Sequence, residues 1–292
     1  KSRLLLHDLY QKAGSAGAVK ELLDPIVFKA KPPTPEEFLD PSNGWVPEGV
    51  LDDHDYPCTR KDFLAILDGS KTYNQIVTYG GTRLGKSYLA RLLMLYTIVF
   101  IHHLRDPKAY YKIAPTTALT LYLLAFNLEK ARELLLDDFF KLLEASERFI
   151  KVGRKDQVKP SQREVGIDYI VYSTAARAGE ITLASDLRVR LGNDNPSSIV
   201  GANVLQMYVS ELAFFIEEAG ATEEQIFRLY TQGLDRIRGT VGRRYLAFAY
   251  LDTSANNAES LIENHIITKL SDKPDVFFTW RSRWEARPHL YP

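Results

Sequence analysis

A chain of 292 residues, 45% hydrophobic and 25% charged, has the balance of an ordinary globular protein and can bury a sizeable core, in one large domain or one domain with a small appendage. Its 37 basic and 37 acidic side chains cancel to zero net charge, which argues against a protein that grips nucleic acid tightly and statically, since such proteins are usually basic. The single cysteine, Cys58, excludes an internal disulfide and suits a reducing compartment; no apolar run reaches membrane-spanning length, and no signal peptide is expected.

Residues 1–55 read as a loop-rich, helical N-terminal extension. Helical periodicity over 4–23 is interrupted by Gly14 and Gly17. Lys31-Pro-Pro-Thr-Pro and Asp40-Pro-Ser-Asn-Gly then mark loops. Asp52, Asp53 and Asp55 beside His54 read as a solvated acidic turn, because no second ligand group stands at a matching spacing. Residues 56–292 read as one domain. Tyr56-Pro57-Cys58-Thr59-Arg60 precedes a helix at 61–67. Tyr56 and Arg60 could hold a nucleobase by stacking and polar contact, or the segment could simply be a proline-initiated turn.

A short buried strand at 74–79 leads into Gly80-Gly81-Thr82-Arg83-Leu84-Gly85-Lys86-Ser87, which fits the phosphate-loop pattern G-x-x-x-x-G-K-[ST] at every fixed position. An apolar helix follows, from 87 to about 103. The backbone N–H groups of such a loop form an anion cradle at a helix N-terminus, where the dipole also favours negative charge. Lys86 would reach the β- and γ-phosphates of ATP and the Ser87 hydroxyl would bind Mg²⁺. Arg83 inside the loop points at phosphate or out to solvent.

The pattern then predicts a strand at 110–115, an amphipathic helix from 117 to about 135 and another to 147, and a third strand at 167–172. A hairpin follows, 181–184 with 187–191 around Ser185-Asp186. A very apolar strand at 204–209 ends in Ser210-Glu211, and a helix runs from 222 to about 238. A strand at 245–251 ends in Asp252-Thr253-Ser254-Ala255-Asn256-Asn257; a helix at 259–270 and a strand at 276–280 close the chain. This alternation predicts an α/β fold: a mostly parallel sheet flanked by helices, of the RecA-like P-loop NTPase kind.

In open parallel sheets ligands bind beyond the carboxyl ends of the strands. ATPases usually carry two acidic residues at the end corresponding to Ser210-Glu211. The first steadies Mg²⁺; the second orients and deprotonates the attacking water. Ser210 can hydrogen-bond a metal-bound water but brings no charge, so another carboxylate could help. Glu211 keeps the catalytic place; alternatively the pair is a helix N-cap and first turn. Thr253, Ser254 and Asn256 form a polar turn that either caps the next helix or senses the γ-phosphate and couples it to movement. Arg236, Arg238, Arg243 and Arg244 crowd a helix end. They complement its dipole, supply an arginine finger to a neighbouring subunit, or touch a DNA backbone. Arg177 is a further candidate.

In this order the pieces resemble the ATPase domain of the large terminase subunit of tailed bacteriophages. The likeness spans about residues 56–288. It rests on the arginine-bearing phosphate loop, Tyr111-Lys-Ile-Ala-Pro-Thr-Thr117 as a second-strand motif, Ile199-Val-Gly-Ala-Asn leading into 204–211, Asp252 to Ser260 as a coupling motif, and Trp284-Glu-Ala-Arg-Pro288. Ser210 in place of the usual aspartate is the clearest departure. The resemblance implies an ATP- and Mg²⁺-dependent motor that drives double-stranded DNA into procapsids in the host cytoplasm. It also implies a homo-oligomeric ring on the portal, contact with the small terminase subunit, and a monomer in isolation. The family's C-terminal nuclease, with its clustered aspartates, has no counterpart after residue 270, so a fragment without nuclease activity is expected. Zero net charge suits a grip released each cycle. The competing readings are a helicase-like nucleic-acid-dependent ATPase, a P-loop kinase or GTPase, and a nucleotide-binding subunit without turnover. The first would need a second RecA-like domain, and a GTPase would normally show an Asn-Lys-x-Asp motif, which is absent.

Overall fold

The computed structural model describes residues 24, 26–49, 57–69, 71–81, 84–125, 129, 132–151, 170–175, 180–183, 187–192, 203–210, 223–241, 244–253, 270–282 and 285. Among the described residues nine strands form one sheet: β1 (Gln75–Gly80), β2 (Leu119–Leu124), β3 (Phe149–Lys151), β4 (Ile170–Ala175), β5 (Glu180–Leu183), β6 (Leu187–Gly192), β7 (Asn203–Val209), β8 (Phe248–Thr253) and β9 (Val276–Arg281). Their spatial order is β3-β4-β5-β6-β2-β7-β8-β1-β9. The run from β6 to β9 is parallel throughout, as is β3 with β4, whereas β4-β5-β6 is antiparallel. The helices are α1 (Pro35–Leu39), α2 (Pro57–Leu67), α3 (Lys86–His103), α4 (Pro107–Tyr111), α5 (Asp138–Ala145) and α6 (Glu223–Thr240).

The centre of the sheet follows from composition. Every residue of β1, β2 and β8 is buried, as expected for parallel strands covered on both faces, which read as unbroken apolar runs. Helix α3 is apolar on nearly all sides and lies in the core. No helix among the described residues is long and apolar enough to cross a membrane.

Two expected elements are corrected. Residues 110–115 do not form a strand. Asp106 caps α4 by accepting from the Ala109 amide at 2.9 Å, Pro107 starts it, and Lys112 at φ 57° ends it. The helix expected from 117 contains β2 instead, paired with β6 and β7. Leu119-Thr-Leu-Tyr-Leu-Leu124 is a short apolar run, which periodicity alone cannot assign; burial between two strands decides it. Helical structure resumes with a π-turn over Arg132–Asp137 and α5. The third expected strand appears as β4, Ile170–Ala175, residues 167–169 lying outside the described residues, and the short β3 pairs beside it without a sequence pattern of its own. The hairpin forms as expected, Ile181 facing Val189. The strand expected at 245–251 lies at 248–253, because Leu246 takes φ 63° in a turn and delays it. Asp252 and Thr253 are thereby drawn into the sheet. The helix expected at 259–270 lies outside the described residues apart from Leu270.

The described part of the N-terminal extension packs into the same core. Phe38 stacks on Phe63 at 5.7 Å and meets Tyr96 edge-on at 5.2 Å. Trp45 contacts His103 and Phe149, and Ser146 Oγ is 2.9 Å from both the Gly44 and the Trp45 carbonyl. A buried polar network braces the centre: Gln206 donates to Thr97 Oγ1 (2.7 Å) and the Leu246 carbonyl (2.8 Å) and accepts from the Tyr208 hydroxyl (2.8 Å).

Candidate nucleotide site

Strand β1 delivers the phosphate loop at its C-terminal end. Gly80 takes φ 145°, and a Cβ there would stand 2.4 Å from the Arg281 carbonyl oxygen and 2.7 Å from Leu84 Cδ1. Only glycine allows β9 and the loop to approach so closely. Gly81 is half-exposed and Leu84 is buried. Gly85 at φ 77° turns the chain into α3. Lys86 is thus the first residue of that helix, and its side chain folds back over the loop. Its Nζ donates to the Gly80 carbonyl at 2.9 Å and to the Thr253 carbonyl at 3.0 Å.

Three parallel strand ends meet here, because β8 lies between β1 and β7. Thr78 pairs with Asp252, and Tyr79 with Thr253. On the other side of β8, Val209 pairs with Leu251, and the Ser210 amide continues the ladder to the Leu124 carbonyl. Asp252 and Ser210 are buried, 1% and 2% exposed. Ser210 Oγ donates to Asp252 Oδ2 at 3.2 Å, and Ser87 Oγ lies 3.4 Å from the same oxygen. The Tyr250 hydroxyl donates to the Lys86 carbonyl at 2.7 Å, tying β8 to the first turn of α3. Hydroxyl and carboxylate oxygens of this kind suit a hard cation such as Mg²⁺, which commonly takes one or two carboxylates plus substrate phosphates. No group of three or more His, Cys, Asp or Glu residues able to hold a metal occurs among the described residues.

An open cavity flanks the loop, between α2, α3 and β9. Asp62 and Arg281 form its polar wall: Arg281 Nη2 donates to Asp62 Oδ1 at 2.9 Å, and Thr279 Oγ1 donates to Oδ2 at 3.2 Å. Burial pushes the Asp62 carboxyl above the ordinary carboxylate range, against the pull of Arg281. Burial likewise raises the Cys58 thiol at the cavity rim, where Sγ donates to the Glu285 carbonyl.

Of the residues singled out from sequence, the structure brings together Gly80, Gly81, Leu84, Gly85, Lys86, Ser87, Ser210 and Thr253. Tyr56, Thr82, Arg83, Arg177, Glu211, Arg243, Ser254 and Asn256 lie outside the described residues. Arg60 does not line the cavity; Cys58, Thr59 and Asp62 do. The described arginines of the cluster sit at the other edge of the sheet, where the parallel strands begin. That edge is on the order of 20 Å away along a six-residue strand. Arg236 is exposed, Arg238 pairs with Asp275 at 3.4 Å just before β9, and Arg244 donates to the Tyr110 carbonyl and lies over its ring. Two features escaped the sequence reading. The first is the place of Asp252 beside Ser87 and Ser210: the sequence pattern puts it at the start of a turn and of the coupling motif, and a lone carboxylate near the end of an apolar strand is the signal that could have found it. The second, the Asp62–Arg281 pair, joins residues 219 apart in the chain, and nothing local marks it.

The fold is similar to that of several solved structures. The large terminase of a thermophilic bacteriophage matches at 11% identity over 80% of this chain and 47% of its own, with a TM-score of 0.50. The HK97 bacteriophage large terminase matches at 12% identity over 78% and 38%, TM-score 0.46. The Thermus phage P74-26 large terminase ATPase domain matches at 13% identity over 77% and 82%, TM-score 0.43. The chain spans less than half the length of the first two of these proteins. No curated protein matches it in sequence. Residues 56–291 match the family described as "Uncharacterized protein MJ0330, N-terminal P-loop domain", and with most of its length inside that match the chain belongs to this P-loop family.

Proposed function

We propose that the chain is an ATP-hydrolysing motor domain of the terminase large-subunit kind, driving double-stranded DNA into procapsids. The observation that carries the reading is the meeting of the phosphate loop with the ends of two further strands: Ser210 just beyond β7, and Asp252 with Thr253 of β8. A phosphate loop alone can bind nucleotide. A loop lysine bonded to the neighbouring strand also offers a route from phosphate to the polypeptide beyond it. The terminase-like order of motifs supports the same reading.

In this mechanism the loop amides and Lys86 hold the β- and γ-phosphates. A bound Mg²⁺, for which Ser87 and Ser210 offer hydroxyls, would neutralise charge on the phosphate oxygens. Glu211, one residue beyond Ser210, orients the attacking water and accepts its proton. Lys86 exchanges contacts between the Thr253 carbonyl and phosphate, so the occupancy of the loop is transmitted to the polar segment 253–256. The neutral chain would touch DNA transiently. It would act as a ring on the portal, with the small terminase subunit, in the host cytoplasm, and would be a monomer by itself.

The test is ATP hydrolysis by the chain alone, with double-stranded DNA, and with procapsids that carry portal. Weak hydrolysis alone and stimulation by procapsid with duplex DNA are expected. Equal stimulation by single-stranded DNA without procapsids would favour the helicase-like alternative. No binding of ATP would overturn both.

A further inference from the structure

The strand end expected to steady Mg²⁺ carries Ser210, which has no charge to offer. The fold brings a carboxylate to that place from another strand. Asp252 is the penultimate residue of β8, the strand between β1 and β7, so its side chain lies between the loop serine and the serine that follows β7. Ser87 Oγ is 3.4 Å from Asp252 Oδ2; Ser210 Oγ is 3.2 Å from Oδ2 and 3.4 Å from Oδ1. Two hydroxyls from two different motifs therefore converge on one carboxylate, beside the lysine that would face the phosphates. Thr253, the next residue, accepts from that lysine, which fixes the end of β8 against the loop. A carboxylate only 1% exposed is in a setting of low dielectric, where its attraction for a cation is strong.

We infer that Asp252 is the carboxylate that takes the divalent cation of the bound nucleotide, in place of an aspartate at Ser210, with the Ser87 and Ser210 hydroxyls on either side. The charge has moved one strand across the sheet, from β7 to β8. This rests on the nucleotide-binding reading above.

The experiment compares a fluorescent ADP (MANT-ADP) in EDTA with the same nucleotide in Mn²⁺, and follows Mn²⁺ directly by electron paramagnetic resonance. In the wild type Mn²⁺ tightens binding. Asp252→Asn keeps the shape of the side chain and should leave affinity in EDTA within about twofold, while the affinity for Mn²⁺·ADP falls about tenfold or more. An unchanged Mn²⁺·ADP affinity and resonance spectrum in Asp252→Asn overturns the inference. So does an equal loss with and without metal, which would mark Asp252 as a purely structural residue. If Asp252→Asn does not fold by circular dichroism, the exchange Asp252→Ser/Ser210→Asp returns the charge to β7. It should bind Mn²⁺·ADP within about tenfold of wild type, and metal-free binding without metal-dependent tightening overturns the inference. A wild type that binds MANT-ADP normally in EDTA but gains nothing from Mn²⁺ removes this inference alone. A wild type that binds no nucleotide removes the nucleotide reading, and this inference with it.

Discussion

Lys86 and Thr253 are joined by a 3.0 Å hydrogen bond from the lysine ammonium to the threonine carbonyl. The residues are 167 apart in sequence, yet Tyr79 and Thr253 are register partners at the adjoining ends of β1 and β8. The same ammonium holds the Gly80 carbonyl at the start of the loop. One cation therefore ties the phosphate loop to the strand that leads into the polar segment 253–256.

Replacing that cation should separate binding from folding. Lys86→Ala keeps the loop amides but removes the charge from the phosphates. ATP affinity should fall by about 100-fold, in line with the strength of charge-assisted hydrogen bonds. A titration with fluorescent ATP measures it, and wild-type affinity in the variant would contradict the phosphate-loop reading.

Glu211→Gln should bind ATP as the wild type does and slow turnover by roughly 10²- to 10⁴-fold, since an amide retains the shape but cannot accept the water's proton. Single-turnover hydrolysis with a parallel binding assay checks this. An unchanged kcat would leave Glu211 as a capping residue.

The arginines at the opposite sheet edge should divide by role. Arg244→Ala should destabilise the fold by about 1–2 kcal/mol, because it loses a charge-assisted bond to the Tyr110 carbonyl and a contact with its ring. Arg236→Ala, at an exposed position, should change stability by less than about 0.5 kcal/mol. Urea melts read both. Mixing an Arg236, Arg238 or Arg243 variant with Glu211→Gln then tests for a finger given in trans. Mixed rings that recover activity identify one; no recovery, with ring assembly confirmed, points to Arg83 in cis.

The Asp62–Arg281 pair carries a pH signature. Burial raises the Asp62 carboxyl, while Arg281 holds it down. Removing the cation raises it further, so the folded Arg281→Met protein binds its proton more tightly than the unfolded chain does. The stability associated with that proton is present at low pH and lost as pH rises through the raised folded value. The deficit of Arg281→Met relative to wild type should therefore be small near pH 3–4 and grow by about 2 kcal/mol by pH 7, below the cost of breaking a fully buried pair because Arg281 is partly exposed. Urea midpoints measured across that range decide it. A deficit independent of pH would mean that Arg281 contributes packing alone.

Much of the site was legible locally because its chemistry is contiguous. The phosphate loop needs two glycines, a lysine and a serine at set spacing, and it needs a strand before it and a helix after it. All of these lie within residues 74–103. The hairpin of β5 and β6 was legible for the same reason, since its turn and register are local. The strand at β2 was not. Leu119-Thr-Leu-Tyr-Leu-Leu124 suits a helix or a buried strand equally, and only its neighbours, β6 and β7, settle the matter.

By itself the sequence determined that a nucleotide-phosphate cradle opens a helix in an α/β chain, and that the usual acidic strand end bears a serine. The tertiary structure alone decided which groups share the cradle. Because β8 is inserted between β1 and β7, Asp252 lies against Ser87 and Ser210, and Thr253 against Lys86. The turn at Leu246 carries both residues from an expected loop into the sheet. These contacts join positions 42 to 167 residues apart. Strand order, a property of the whole packed sheet, brings them within hydrogen-bonding distance, and no local pattern of residues encodes it.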